Sequence, residues 1–466
     1  MQQLTIGRDR GYPTGTVPDA TSGHRVPPRE APARPTRSTK RGRPKGRTSV
    51  RAPLIAAAPV PRGLRTVGYL TTVALWTVPI LTPGGPGNTA LPDAIMAAAL
   101  VMTILWLYRY GGTVALPYSL GIGILMIAGL IAAVHQRAPL SALPVLQDLF
   151  LLLWAAGVAN AVQRLWVLRV FLQAWCWSGI VWAAVLVFAR LAGLSALAGV
   201  NPKNGGRAAL SMNDPNMAGN YFLCALLVLL ATRVIRRRWI RFLGVILIFT
   251  AIVFTGSNGA GVSLIAALAV AGAVRVRKTR GPVFAIAFVA LLVVPAAVVA
   301  PDVSVSAIRA KAADSVQLLQ DSVGRSGASS SQRALLFTEG MHLFRTGDLI
   351  GLGPAQTKQT LIDQGAPYVK EAHDDYVATL AERGVLGGIG LIILIFAIGV
   401  RLTRVAVRPL PPDVAAMVPR PEYLLGLGIA FLASAFFYEV IHFRQLWVFL
   451  GLVAGLDMMV GGRWRR

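Results

Sequence analysis

The stretch KEAHDDYVATLAERGVLGGIGLIILIFAIGV, Lys370 to Val400, sets a histidine and two aspartates against the head of a long apolar run. From about residue 374 to 400 the run is long enough to cross a hydrocarbon layer of about 30 Å as a helix. An imidazole and two carboxylates are costly there unless they stand at a boundary, so the stretch reads as a membrane edge with chemistry-bearing groups on it. Apolar runs of this kind recur along most of the chain. Of 466 residues, 55% are hydrophobic and only 14% charged, where a soluble chain would carry roughly a quarter charged residues. A membrane admits only helices or closed barrels, and these runs are far too long for barrel strands. The expected fold is all-α: a polytopic helical membrane protein of about twelve transmembrane helices.

The expected spans are 64–82, 90–108, 115–134, 142–162, 167–190, 216–233, 239–256, 259–274, 282–300, 374–400, 422–441 and 444–461. Lysine and arginine in the short loops set the orientation. With the N-terminus inside, the inner loops carry Arg109, Arg164, Arg233, Arg236, Arg237, Arg238, Arg241, Arg275, Arg277, Lys278, Arg280, Arg401, Arg404, Arg408 and Arg420. The C-terminal end adds Arg463, Arg465 and Arg466, while the short outer loops carry little beyond Arg137 and Arg444. Both termini are therefore expected in the cytoplasm of a multi-pass cell-membrane protein. Most of the formal charge of +26 is then topology, which makes nucleic acid an unlikely partner and membrane lipid an expected one.

Residues 1–62 are basic, proline-rich and poor in large apolar residues, and read as a disordered cytoplasmic tail. Within it TKRGRPKGR, Thr39 to Arg47, resembles an AT-hook. A basic arm held by anionic lipid accounts for it better. Residues 63–300 are expected to hold spans one to nine, 301–372 an extracytoplasmic subdomain, and 373–466 the last three spans. In the 301–372 segment, Val305 to Leu319 has helical apolar spacing. GRSGASSSQ reads as a flexible connector, and RALLFTEGMHLFR as a second helix with Arg333 at its head, capped by SSSQ and stopped by TGDLIGLGP. The two cysteines, Cys176 and Cys224, lie in apolar segments and suggest neither a disulfide framework nor a zinc site.

Four constellations are chemical candidates. His373 stands at the loop-to-span junction, where Asp374 or its neighbour can cap the helix; Glu382 and Arg383 follow two to three turns deeper. Arg207 precedes the Asn213-Asp214-Pro215-Asn216 turn, a plain helix start, yet an arginine on an outer loop is free to grip a phosphate in bidentate fashion. FTGSNGAG, Phe254 to Gly261, reads as a tight helical hairpin. Arg333 is the fourth.

The order of these pieces resembles the O-antigen ligase and polymerase superfamily, whose members handle polyprenyl-pyrophosphate-linked glycans on the outer face of the bacterial membrane. The family pattern is an R…NPN turn opening a span, a TGSRG-like hairpin, an outer loop with an arginine near a helix start, P.LG.G, and HNDYLQLLAEYGLIG entering a span. This chain has R…NDPN at 207–216, TGSNGAG at 255–261, Arg333, GDLIGLGP at 347–354 and HDDYVATLAERGVLGG at 373–388. It departs at Asn258, where the family commonly has an arginine thought to help hold the donor pyrophosphate; that work would pass to Arg207, Arg333 or Arg345. Asp374 replaces the usual asparagine after the histidine.

The resemblance implies a glycosyltransferase that moves a glycan from a polyprenyl-pyrophosphate donor to a glycan, lipid or protein acceptor. His373, Arg207 and Arg333 would be catalytic, with Asn213, Asn216, Arg345, Asp375 and Tyr376 binding substrate. Arginines neutralise the leaving pyrophosphate, so no metal or cofactor is expected. Two other readings remain: a transporter or flippase for a lipid-linked glycan, and an inactive member that binds glycan lipid, which rests on Asn258.

Overall fold

A computed structural model describes residues 60–82, 84, 89–110, 113–201, 206–299, 326–346, 348–365 and 374–460. The expected tail, the Val305 to Leu319 helix and His373 lie outside these residues. Among the described residues the chain is all-helical. The first ten helices are α1 (Arg62–Thr77), α2 (Leu91–Arg109), α3 (Ser119–His135), α4 (Ala142–Ala161), α5 (Leu165–Leu191), α6 (Ser195–Ala198), α7 (Pro215–Ala231), α8 (Arg238–Thr255), α9 (Asn258–Arg280) and α10 (Pro282–Val299). The others are α11 (Ser326–Thr346), α12 (Thr357–Asp363), α13 (Asp375–Val407), α14 (Pro412–Met417), α15 (Glu422–Ser434) and α16 (Arg444–Val460).

A helix occupies each of the twelve apolar segments marked out by hydropathy. Six of them are long and apolar enough to cross a bilayer: Leu91–Arg109, Pro139–Ala161, Leu165–Leu191, Arg238–Thr255, Asn258–Arg280 and Asp375–Val407. Crossing on length and composition is thus supported for six helices, half the expected count.

The helix ends follow local chemistry. Asp214 accepts from the Asn216 amide ahead of Pro215 at the start of α7, and Ser257 accepts from the Ala260 amide at the start of α9. Each satisfies a backbone donor that the helix leaves free. Between α8 and α9 the chain turns on Gly256 at φ 55°, a left-handed conformation natural to glycine. The tight turn in FTGSNGAG is borne out, but the close packing expected of a helical hairpin is not: α8 packs on α5 and α7, and α9 on α10 and α15.

α13 packs on α3, α15 on α9, and α16 on α4. The contacts run along small residues: a side chain on Gly121 would sit 2.8 Å from the Leu394 amide nitrogen, and one on Gly451 2.7 Å from the Ala155 carbonyl. Backbones this close gain dispersion contact where no hydrophobic drive separates helix from lipid. Trp154, Trp175, Trp447, Phe171, Phe222 and Phe449 fill the centre and are fully buried.

Three expectations are corrected. α11 begins at Ser326, so the serine run is helix rather than connector, and Arg333 stands two turns inside instead of at the head. Serine and glycine are weak helix formers; docking of α11 on α13, where Gly340 faces Val377, supplies what propensity lacks. α15 stops at Ser434, well short of 441, because the Ala435 carbonyl accepts from the Asp375 amide at 2.9 Å and the chain then turns. α13 is not one straight helix: Gly384, at φ 61° and ψ −162°, kinks it.

Candidate functional site

The starts of α7, α9 and α13 meet at one end of the bundle, together with the α15–α16 connection. Ahead of α7, the Ala208 amide donates to the Phe254 carbonyl at 3.2 Å, tying the segment to the hairpin. Half-buried Arg207 donates through Nη1 to Asn216 Oδ1 at 3.3 Å, and Asn213 is exposed at φ 60°. α7 passes the hairpin at Gly219, where a side chain would lie 2.9 Å from Ser257 Cβ.

The hairpin is fastened to the α15–α16 connection. Ser257 Oγ and the Tyr438 hydroxyl lie 3.0 Å apart, both residues buried, and Gly259 leaves the room that the tyrosine ring occupies. Deeper along the same contact, Ser263 Oγ meets Ser434 Oγ at 2.9 Å. Asn258, the first residue of α9, is exposed.

Two residues of α13 and the residue capping it organise the same connection. Asp374 accepts from the Tyr376 and Val377 amides at 2.8 and 3.1 Å, so the capping reading holds. Burial pushes the Asp374 carboxyl above the usual aspartate range, against the opposing pull of those two amides. Asp375 is buried and accepts from the Val440 and Ile441 amides at 2.9 and 3.2 Å. The Tyr376 hydroxyl donates to the Leu432 carbonyl at 2.9 Å, and its ring lies 4.5 Å from that of Phe436. Asp375 and Tyr376 thus hold the turn that carries Tyr438.

One to two turns further, α13 receives the GDLIGLGP segment. The Leu352, Gly353 and Val385 amides donate to the Ala381, Glu382 and Leu349 carbonyls at 2.9, 2.9 and 3.0 Å. Glu382 accepts from the Ala355 amide at 2.9 Å and the Thr357 hydroxyl at 2.8 Å, anchoring the start of α12. The two last motifs, separate in sequence, are therefore one structural unit built around the Gly384 kink. Arg383 points the other way: it pairs with Asp148 of α4 at 2.6 Å and donates to the Leu125 carbonyl of α3 at 3.2 Å.

Of the sequence-derived site residues, Arg207, Asn213, Asn216, Asp375 and Tyr376 come together at this end. Arg345 is exposed on the last turn of α11. Arg333 lies within α11, seven residues before Gly340.

Sequence reasoning missed Tyr438, and it missed Arg444, whose guanidinium grips Asp93 at the start of α2 in bidentate form, both contacts 2.6 Å. Asp93 and Asp148 were legible as ionisable groups in apolar runs; their partners lie hundreds of residues away and carry no local signal.

No curated protein matches the chain. Residues 243–392 match the family model described as O-Antigen ligase, from within α8 through the kink of α13, and this match supports the resemblance carried by the motifs of that stretch.

Proposed function

We propose that this multi-pass membrane protein transfers a glycan from a polyprenyl-pyrophosphate donor to an acceptor hydroxyl, at the membrane face where α7, α9 and α13 begin. The orientation in which both termini are cytoplasmic makes that face the outer one. The acceptor oxygen attacks the anomeric carbon of the donor sugar. The bond from that carbon to the pyrophosphate oxygen breaks, and polyprenyl pyrophosphate departs. The leaving group needs no protonation, so the protein's task is to orient two substrates and neutralise growing charge.

Arg207 takes the pyrophosphate in this reading, with Asn213 and Asn216 presenting amide groups beside it. Arg333 and Arg345 contribute from α11. His373 immediately precedes the Asp374 cap and accepts the acceptor proton, a task suited to an imidazole that titrates near neutrality. The Arg333 position falls roughly 10 Å along α11 from its contact with Val377, four residues past His373.

The observation that carries the reading is the fastening of the hairpin and the α13 head to one connection, through Ser257–Tyr438 and Asp375–Val440. With the Ala208–Phe254 hydrogen bond, it gathers the first, second and last motifs of the resemblance at a single end of the bundle. The inactive-binder reading draws on Asn258, a neutral group exposed where the family commonly has arginine.

The test uses purified protein with polyprenyl-pyrophosphate-linked glycan and a panel of glycan, lipid and protein acceptors. Release of polyprenyl pyrophosphate that requires acceptor and is lost in His373→Ala supports the transferase. Donor binding without turnover by the wild type would establish the inactive binder, and donor movement across proteoliposomes without turnover the transporter.

A further inference from the structure

At the opposite end of the bundle the connection from α7 to α8, Thr232 to Arg237, is non-helical and extended at both ends. It is pinned by the Arg233 amide to the Met417 carbonyl at 2.8 Å, and by the Arg420 amide to the Ala231 carbonyl at 3.2 Å. Here a cavity of about 710 Å³ opens. Its wall is half cationic and half apolar: Arg233, Arg236, Arg238, Arg241 and Arg420, with Leu230, Ile235, Phe242 and Val245. No carboxylate is among the described residues that line it. A second cavity of about 530 Å³ adjoins it, shares Arg233 and Arg236, and adds Arg169 and the exposed Asp413.

Four other cations at this end share two carboxylates within the chain. Arg275 and Lys278 pair with Glu422, and Arg401 and Arg404 pair with Asp457. Among the described residues, none of the five cavity arginines has a carboxylate partner. Arg241 instead donates to the Leu230 carbonyl at 3.0 Å, which fixes its guanidinium at the cavity wall. Five gathered guanidinium groups repel one another, and an anion in the cavity relieves that cost.

The apolar half narrows the choice of anion. Phe242 is 68% exposed, and the flank of α8 continues outward with Trp239 at 63%, Ile246 at 44% and Phe249 at 51%. An indole beside arginines at the head of an apolar helix marks the level of lipid headgroups. A free inorganic ion would use the arginines and ignore this flank; an amphiphile uses both.

We propose that this cavity is a binding site for an anionic phospholipid, its phosphate held by Arg233, Arg236, Arg238 and Arg241 and an acyl chain lying along Phe242, Val245 and Ile246. The site is separate from the end where glycan transfer is placed and does not depend on that reading.

The purified full-length chain is titrated in detergent with dioleoyl phosphatidylglycerol, tetraoleoyl cardiolipin, dioleoyl phosphatidylcholine or sodium pyrophosphate, and bound species are counted by native mass spectrometry. The wild type should retain phosphatidylglycerol or cardiolipin in preference to phosphatidylcholine. R233Q/R236Q/R238Q, which changes exposed side chains only, should weaken that retention about tenfold or more. R277Q/R280Q, two charges removed from the same end outside the cavity, should leave it unchanged. R238Q alone should give a smaller loss in the same direction, so the proposal stays testable should the triple variant misfold. Equal retention of phosphatidylcholine, an unchanged folded triple variant, an equal loss in R277Q/R280Q, or displacement of lipid by pyrophosphate would each overturn the assignment.

Discussion

Arg383 of α13 and Asp148 of α4 form an ion pair inside the bundle, Nη2 to Oδ2 at 2.6 Å, with side chains only 6% and 2% exposed. The same guanidinium donates to the Leu125 carbonyl, so a single side chain ties α13 to both α3 and α4. Removing one partner of a buried pair strands the other charge, which costs about 3–5 kcal/mol. Arg383→Ala should lower the yield of monodisperse protein sharply. Arg383→Met combined with Asp148→Leu should recover much of it, because neither charge is then left alone. Thermal unfolding of the detergent-solubilised variants checks the order wild type, double variant, single variant.

Asp375 and His373 lie two residues apart and should separate cleanly. Asp375 accepts two backbone amides in a buried turn, so Asp375→Ala leaves both donors unsatisfied at about 1–3 kcal/mol each. Loss of activity in that variant should track a lowered melting temperature. His373→Ala should abolish transfer with the melting temperature unchanged. Comparing melting temperature with product formation for the two variants decides.

Asp374 offers a pH test. Its carboxyl titrates above the usual range because burial disfavours the charge, so the folded state binds this proton more tightly than the unfolded chain. The linked stability is full below the unfolded aspartate value and is lost as pH rises through the raised folded value. Asp374→Asn keeps the cap and removes the titration. The wild type should therefore lose stability relative to Asp374→Asn as pH rises through that window. Asp374→Ala should cost about 1 kcal/mol in addition, through the missing cap. Melting curves of the three proteins across acidic to neutral pH measure both effects.

Gly384 is the point where α13 bends and receives the Leu349–Thr357 segment. Its left-handed φ disfavours any other residue, and a Cβ there would collide with the Leu349 carbonyl oxygen. Gly384→Ala should destabilise the fold by more than about 2 kcal/mol and loosen the segment. Faster amide exchange at Leu352 and Gly353 would report the loosening, since their donors bond across the kink.

Features written in neighbouring residues could be read from the sequence. Apolar runs located the helices, Pro215 and Asp214 marked the start of α7, Gly256 the hairpin turn, and Asp374 a cap. The site's supports could not be read, because they join residues distant in the chain. Nothing in SAFFYEV marks Tyr438 as the partner of Ser257, and nothing near Glu382 announces that it holds Ala355 and Thr357. α11 was misjudged for the same reason: a serine run helical through docking looks like a linker when its partner is out of sight. Glu382 and Arg383 stood out as charges at depth, which pointed to function by default. The structure gives both of them partners that hold the bundle together.

The Arg444–Asp93 fork has a consequence for biosynthesis. The two residues are separated by 351 positions, and the fork joins the heads of α2 and α16. Asp93 must wait through the insertion of nearly every intervening helix before its partner leaves the ribosome. The end of the bundle that gathers the family motifs is latched late, so a chain halted before α16 would be left with an open seam there and a carboxylate held only by the Ala90 amide.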